Sequence, residues 1–202
     1  MNLTQSQADV LAEVMNIGMG HAANSLNEMV GAHVELRVPK VSMMSGREAQ
    51  RHIEARGWSK LSAVQLEFEG SMSGDVVLMF PQPSAVKFVA LLTGEDRTHT
   101  DIDGLRQATL EEAGNIILNG VVGATSNLFG GWVTFSVPCY RESQGAIPIF
   151  RDADEPEVHI IFANASFKVE QYRLEGEVLL CFEVSSLRQL LDALDRQLSA
   201  TE

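Results

Sequence analysis

Hydrophobic and polar residues recur along the first half of the chain with two different periods. Apolar residues three or four positions apart predict amphipathic helices, and strict alternation predicts strands with one buried face. Thr4 or Ser6 can cap the first helix, and Gly31 ends it. In order, the pattern predicts a helix, a strand, a short exposed helix, two strands and a helix, at residues 4–30, 32–43, 45–57, 62–70, 74–80 and 83–94.

The second half of the chain repeats this order of elements. Its pattern predicts a helix, three strands and a closing helix, at residues 105–128, 130–140, 157–170, 175–183 and 185–198. The segment that starts at Gly74 aligns without a gap with the segment that starts at Gly176. We therefore predict a single domain made of two internal repeats, about residues 4–94 and 105–198, with the acidic stretch 94–104 as the linker between them.

Duplication of this kind constrains the fold class. Each repeat alone would leave an open sheet edge and a half-covered core. The two repeats are therefore expected to share one continuous, mainly antiparallel sheet, in an α/β (α+β) fold with pseudo-two-fold symmetry.

Composition and charge narrow the choice of partners and compartment. The 202 residues carry a net charge of −12, which disfavours nucleic acid and anionic membranes and suits a partner with a basic rim. Cys139 and Cys181 are far apart in the sequence and are predicted to be two buried, reduced thiols. The N-terminus has no basic and apolar leader pattern, and no apolar run approaches a membrane span, so we predict a cytoplasmic protein.

The candidate chemistry lies in a short motif that occurs once in each repeat. Glu13 and Asn16, and again Glu112 and Asn115, stand three residues apart, which places each carboxylate and carboxamide on one helix face. A proline follows each asparagine by 23 residues, inside a predicted strand: Pro39 and Pro138. Because proline is normally excluded from strand interiors, each strand is expected to bend or to have a free edge there. Spacing alone leaves two interpretations open, a solvated helix face and a functional site.

Other motifs in the sequence are weaker. The stretch from Gly18 to Ala23 fits a G-x-G-x-x-A pattern but lies inside a predicted helix with no strand before it, which argues against a dinucleotide site. The five histidines show no metal-ligand pairing. His21 lies close enough to Asn16 to flank the site, but a surface histidine is the preferred interpretation. The small residues after Asn16, Gly18 and Gly20 among them, allow either close helix packing or clearance for a partner; close packing is the preferred interpretation.

With Asp9 added, the first repeat reads Asp9, Glu13, Asn16 and Pro39, at spacings of 4, 3 and 23. This pattern resembles the signature of the CheC-type phosphatases of bacterial chemotaxis, the family of CheC, CheX and FliY. The second repeat matches it again except at its first position, where Ala108 replaces Asp or Ser. The resemblance covers nearly the whole chain, and two motifs in one chain are typical of CheC. It implies a CheC-like fold with the two motif helices side by side on one face of the sheet.

The resemblance also implies a function and a set of partners. The substrate would be the phospho-aspartate of a CheY-type response regulator, which brings its own Mg²⁺, so that the chain needs no cofactor of its own. Asn16 and Asn115 would position the attacking water, and Glu13 and Glu112 would dock to the regulator's lysine. Both repeats are expected to act; if the motif's first position contributes to docking, the first repeat does most of the work. CheD is a further candidate partner. The alternative is a non-catalytic binding module of the same fold, like the flagellar switch protein FliM.

Overall fold

The computed structural model describes residues 3–31, 33–94, 102–128, 130–144, 159–169 and 172–201, and most of the predicted linker at 94–104 lies outside them. Within these ranges the chain forms helices α1 (Gln5–Val30), α2 (Gly46–Ala55), α3 (Gln82–Thr93), α4 (Ile102–Asn127) and α5 (Val184–Thr201). The strands are β1 (Val34–Ser45), β2 (Leu61–Gly70), β3 (Gly74–Pro81), β4 (Val133–Phe135), β5 (Cys139–Ser143), β6 (His159–Val169) and β7 (Tyr172–Phe182).

The strands form one antiparallel sheet in which the two halves of the chain are interleaved. The order is β1-β6-β7-β3-β2-β4, with β5 also paired to β2. Strand β1 from the first half therefore pairs with β6 from the second, and β4 and β5 from the second half pair with β2 from the first. The predicted continuous antiparallel sheet is confirmed, and each half supplies the edge strand of the other.

The two edge strands differ at the proline of each motif. Strand β1 is continuous, but its register against β6 shifts between Arg37 and Lys40, the segment that contains Pro39. The single strand predicted at 130–140 is wrong, because the chain forms β4 and β5 with a break that contains Pro138. Proline has no N–H to donate to a ladder, so it sits where pairing is already interrupted. The prediction of a bend or a free edge is confirmed at Pro39, whereas Pro138 lies in a break between two strands and not inside one.

Four of the helices, α1, α3, α4 and α5, share one large apolar core with the sheet, whereas α2 packs through Ala49 and Ile53 on a second, smaller cluster.

Thr4, and not Ser6, caps α1: its side chain accepts from the Gln7 N–H, and the Gln7 side chain accepts from the Thr4 N–H. Cys139 and Cys181 are free thiols, as predicted, but the prediction that both are buried is wrong: Cys139 is exposed and Cys181 is half-buried. Across the described residues, no helix is long and apolar enough to cross a membrane.

The motif helices α1 and α4 cross at two glycines. A Cβ atom added to Gly18 would lie 2.2 Å from the carbonyl oxygen of Gly120, and one added to Gly120 would lie 2.7 Å from that of Gly18. Close helix packing is thus confirmed as the role of Gly18. Gly20 takes no part in it, because an added Cβ there meets nothing within 4 Å.

A polar cluster lies beneath α2. The Glu177 side chain is fully buried, and both its carboxylate oxygens accept from Asn164 Nδ2, at 3.0 and 2.9 Å. Arg56 Nη2 stands 3.3 Å from Glu177 Oε1, and His52 Nε2 stands 4.0 Å from the same oxygen. Burial raises the pKa of Glu177 to about 7, because the favourable Arg56 charge and the Asn164 hydrogen bonds offset only part of the desolvation.

Glu177 makes the stability of the fold depend on pH. Its pKa is raised from 4.5 to about 7, so the folded state binds the proton more tightly than the unfolded state. The contribution of Glu177 to the free energy of unfolding therefore falls as pH rises from about 4.5 to about 7 and is constant above that. We expect the wild type to lose roughly 3 kcal/mol relative to Glu177→Gln over this range. Urea unfolding of both proteins at several pH values measures the difference, and parallel pH profiles would contradict it.

Candidate functional site

The four motif residues of the first repeat meet at one cleft. This cleft has a volume of about 570 Å³, and its lining includes Asp9, Glu13 and Asn16 on α1 and Pro39 on β1. Backbone and side chains of the neighbouring positions complete its lining: Ala12, Leu36, Arg37 and Val38. The structure therefore brings together residues that are up to 30 positions apart in the sequence.

The Asn16 side chain is held by backbone on two sides. Its Nδ2 donates to the Val38 carbonyl oxygen at 2.9 Å and to the Ala12 carbonyl oxygen at 2.8 Å. Its Oδ1 accepts from the Val38 N–H at 2.8 Å. Both amide hydrogens are thus used, and one lone pair of Oδ1 remains. Asn16 satisfies the backbone groups of Val38, a residue only 1% exposed at the interrupted register of β1.

The carboxylates of the first cleft face solvent. Glu13 is exposed, and no described residue provides a hydrogen bond or an ion pair to its side chain. Asp9 is also exposed and accepts from Gln5 Nε2 at 2.7 Å, a bond within the first turns of α1. An unpartnered carboxylate on a rigid helix is available to a basic group of another molecule at little cost in ordering.

The second repeat places its motif differently. Glu112 on α4 is exposed and has no partner among the described residues, like Glu13. Asn115 Oδ1 accepts from Asn119 Nδ2 at 3.1 Å, one turn further along α4. Asn115 Nδ2 has no hydrogen-bonding partner within the described part of the chain, and Asn115 makes no bond to the Pro138 segment.

A different residue joins α4 to its edge strand. Glu111 Oε1 accepts from the Tyr140 N–H at 3.1 Å, whereas the equivalent position in the first repeat is Ala12. Val137, which corresponds to Val38, is 85% exposed instead of buried. The two asparagines therefore differ in state: Asn16 is fixed to the fold, and Asn115 has two amide hydrogens and one lone pair available to a visiting molecule.

A groove between α1 and α4 lies beside these sites. It has a volume of about 410 Å³, and Ile17, His21 and Asn119 are among its lining residues. His21 is exposed and lines this groove and not the Asn16 cleft. In the ranges that the structure describes, no three His, Cys, Asp or Glu side chains are grouped so as to hold a metal ion.

Sequence comparison connects the motif with a known family. The model of the CheC-like family matches residues 7–43, which span the first motif from Asp9 to Pro39. The resemblance to the CheC-like family is confirmed. A curated relative, the CheY-P phosphatase CheC of Bacillus subtilis, is 26% identical over 131 residues, which cover 62% of this chain and 61% of that protein.

Solved structures with the CheC-like fold superpose on most of the chain. Thermotoga maritima FliY superposes with a TM-score of 0.78 at 18% identity, covering 97% of this chain and 99% of the other. CheX from Borrelia burgdorferi, solved in a complex with CheY, beryllium fluoride and magnesium, superposes with a TM-score of 0.52 at 18% identity, covering 82% and 96%. At these identities the likeness establishes the fold of the chain.

Three residues of the sites were not found from the sequence: Val38, Glu111 and Asn119. Val38 acts through its backbone, which no side-chain motif records. Glu111 and Asn119 are visible only when the two repeats are compared position by position, since their equivalents are Ala12 and Gly20. The comparison of repeats therefore shows where the sites diverge, and the structure shows what each difference contacts.

Proposed function

We propose that this CheC-like chain is a phosphatase that hydrolyses the phospho-aspartate of a CheY-type response regulator. One observation carries the proposal: α4 presents Asn115 one turn from Glu112, and neither the Asn115 NH₂ group nor the Glu112 carboxylate has a partner among the described residues. The similarity to a curated CheY-P phosphatase and to the fold of a CheX bound to CheY supports the same choice of partner.

Hydrolysis of the acyl phosphate would require few catalytic groups from this chain. In an acyl phosphate the water oxygen attacks phosphorus and the bond to the aspartyl oxygen breaks, which gives carboxylate, inorganic phosphate and a proton. The regulator would supply Mg²⁺ and a lysine to stabilise charge on the phosphoryl group. What remains is to hold the water in line. Asn115 can accept a hydrogen bond from water through Oδ1 and donate through Nδ2, and positioning of this kind is worth several kcal/mol of the barrier.

The carboxylates would set the position of the partner. Glu13 and Glu112 are exposed and have no partner in the part of the chain that the structure describes, so each can form an ion pair with a lysine of the regulator without breaking a described bond. The chain's net charge of −12 adds attraction for a partner with a basic rim around its site. Each motif helix would then lie across the regulator's site, with its asparagine one turn beyond the salt bridge.

A non-catalytic binding module is the second candidate. The observation that favours it is Asn16, whose amide satisfies the backbone of Val38 and so has a structural reason to be present. The same explanation does not extend to Asn115, which makes no bond to backbone of its edge strand. In this second case partners such as CheD or flagellar switch proteins would bind without hydrolysis.

Phosphate release from a phosphorylated receiver domain distinguishes the two candidates. We expect the wild type to accelerate release, and Asn16→Ala/Asn115→Ala to lose about tenfold or more of this acceleration, chiefly through the loss of Asn115. Asn24→Ala, an exposed asparagine elsewhere on α1, is the matched control and should behave as wild type. Circular dichroism verifies that the double variant is folded. A double variant as active as wild type would exclude catalysis by these amides.

A further inference from the structure

Asn119 lies one helical turn after Asn115 on α4 and bonds to it directly. Its Nδ2 donates to Asn115 Oδ1 at 3.1 Å. This bond requires the amide of Asn115 to turn its oxygen towards Asn119 and therefore its NH₂ group away from it. Without such a donor the two ends of the half-buried Asn115 amide can exchange places by a rotation about one bond. Asn119 thus selects one of two orientations of Asn115.

The environment of Asn119 is costly for a residue with only a packing role. Its Oδ1 is buried and has no hydrogen-bonding partner in the described residues. An unsatisfied buried carbonyl costs about 1–3 kcal/mol, which a small apolar residue at this position would avoid. The equivalent position in the first repeat is Gly20, so the helix and its packing do not require an amide here.

The first repeat orients its asparagine by other means. Asn16 is fixed by the Val38 backbone, and no side chain is present at Gly20 to bond to it. In the second repeat the break at Pro138 removes the backbone partner, and Asn119 is the residue that bonds to the asparagine's oxygen. The asparagine side chain is therefore oriented in both repeats, by the Val38 backbone in the first and by the Asn119 side chain in the second.

We propose that Asn119 is a positioning residue for hydrolysis at the second site: by donating to Asn115 Oδ1, it directs the Asn115 NH₂ group towards the phosphoryl group and its water. This inference rests on the proposed function of Asn115. The donated bond also polarises the Asn115 amide, which strengthens its own N–H donors. Asn119 itself contacts neither the substrate nor the water.

Exchange of donor for acceptor at position 119 tests the inference. In Asn119→Asp the new carboxylate can only accept, so it would bond to the Asn115 NH₂ group and invert the amide. We expect the single-turnover rate of phosphate release from a phosphorylated receiver to fall by about tenfold. The affinity for the beryllofluoride-activated receiver should stay within about twofold of wild type.

Asn119→Ala frees the amide to rotate and should give an intermediate rate. Asn127→Asp, on the same helix and lining the same groove, is the charge-matched control and should keep the wild-type rate.

The outcomes separate this inference from the proposed function. If wild type releases phosphate and Asn119→Asp releases it equally fast, Asn119 has no positioning role and only this inference falls. If Asn119→Asp loses rate in proportion to lost receiver affinity, or Asn127→Asp is equally slow, charge and not amide orientation is responsible. If the wild type itself does not accelerate release, both the proposed function and the positioning role are excluded.

Discussion

Replacement of Asn115 by alanine is expected to remove most of the proposed phosphatase activity and to leave the stability of the fold nearly unchanged. The Asn115 side chain makes one bond, to Asn119, and its NH₂ group has no partner within the described residues. Its loss should therefore change the free energy of unfolding by no more than about 0.5 kcal/mol. The rate of phosphate release should fall about tenfold or more, because the residue best placed to hold the water is gone.

Asn16→Ala is expected to show the opposite pattern. It leaves the N–H and the carbonyl of Val38 without the partners they have in the structure, and Val38 is only 1% exposed. The free energy of unfolding should fall by roughly 2–4 kcal/mol, because two buried backbone groups lose hydrogen bonds. Activity per folded molecule should stay close to wild type, since Asn16 has no amide hydrogen to offer a partner.

Urea unfolding and phosphate release, measured on both single variants, test this pair of expectations together. Phosphate release is measured without urea, and each rate is divided by the concentration of folded protein in that variant's sample. Equal losses of activity in the two variants, without a difference in stability, would show that the two asparagines act alike and that the Val38 bonds matter little.

Gly18→Ala is expected to destabilise the fold. A Cβ atom at Gly18 would lie 2.2 Å from the Gly120 carbonyl oxygen, which belongs to backbone and cannot rotate away. Helices α1 and α4 must separate to admit it, and the core beneath them loses packing. Overpacking of this kind typically costs about 1–3 kcal/mol, which exceeds the gain of up to about 1 kcal/mol from better helix propensity.

Gly20→Ala is the matched control for this prediction. It makes the same chemical change two residues along the same helix, where an added Cβ meets nothing within 4 Å. The propensity gain should then appear alone, as a rise of roughly 0.5–1 kcal/mol in the free energy of unfolding. Chemical unfolding of both variants gives the comparison. Two variants that move in the same direction would contradict the assignment of the helix crossing to Gly18.

Much of the fold could be predicted from the sequence because the repeats are locally consistent. Apolar periodicity located the elements, and the duplicated pattern required a shared sheet. The exchange of edge strands between the halves could not be predicted from the sequence, because the pairing of β1 with β6 depends on contacts between residues far apart in the chain. The break between β4 and β5 was missed because the stretch 130–140 alternates like a strand, and only the sheet context shows where pairing stops.

The residues of the candidate site could be proposed from the sequence, but the hydrogen bonds that engage the two asparagines could not. Spacing put each carboxylate and amide on one helix face, and the structure adds that Asp9, Glu13, Asn16 and Pro39 line a single cleft. The difference between the two asparagines depends on backbone groups of Val38 and on the register shift beside Pro39, which leave no trace in a side-chain pattern. Ala108, the one departure from the family pattern, suggested that the second motif is the weaker; the hydrogen bonds favour Asn115 as the freer group.

The most direct test of the account separates hydrolysis from docking at the second site. Single-turnover phosphate release at saturating protein and affinity for the beryllofluoride-activated receiver are measured for wild type, Asn115→Ala and Glu112→Ala. If the amide holds the water and the carboxylate holds the partner, Asn115→Ala keeps the affinity and loses the rate. Glu112→Ala then loses about tenfold in affinity and keeps most of the saturated rate. An Asn115→Ala protein that binds and hydrolyses as wild type does would contradict the account.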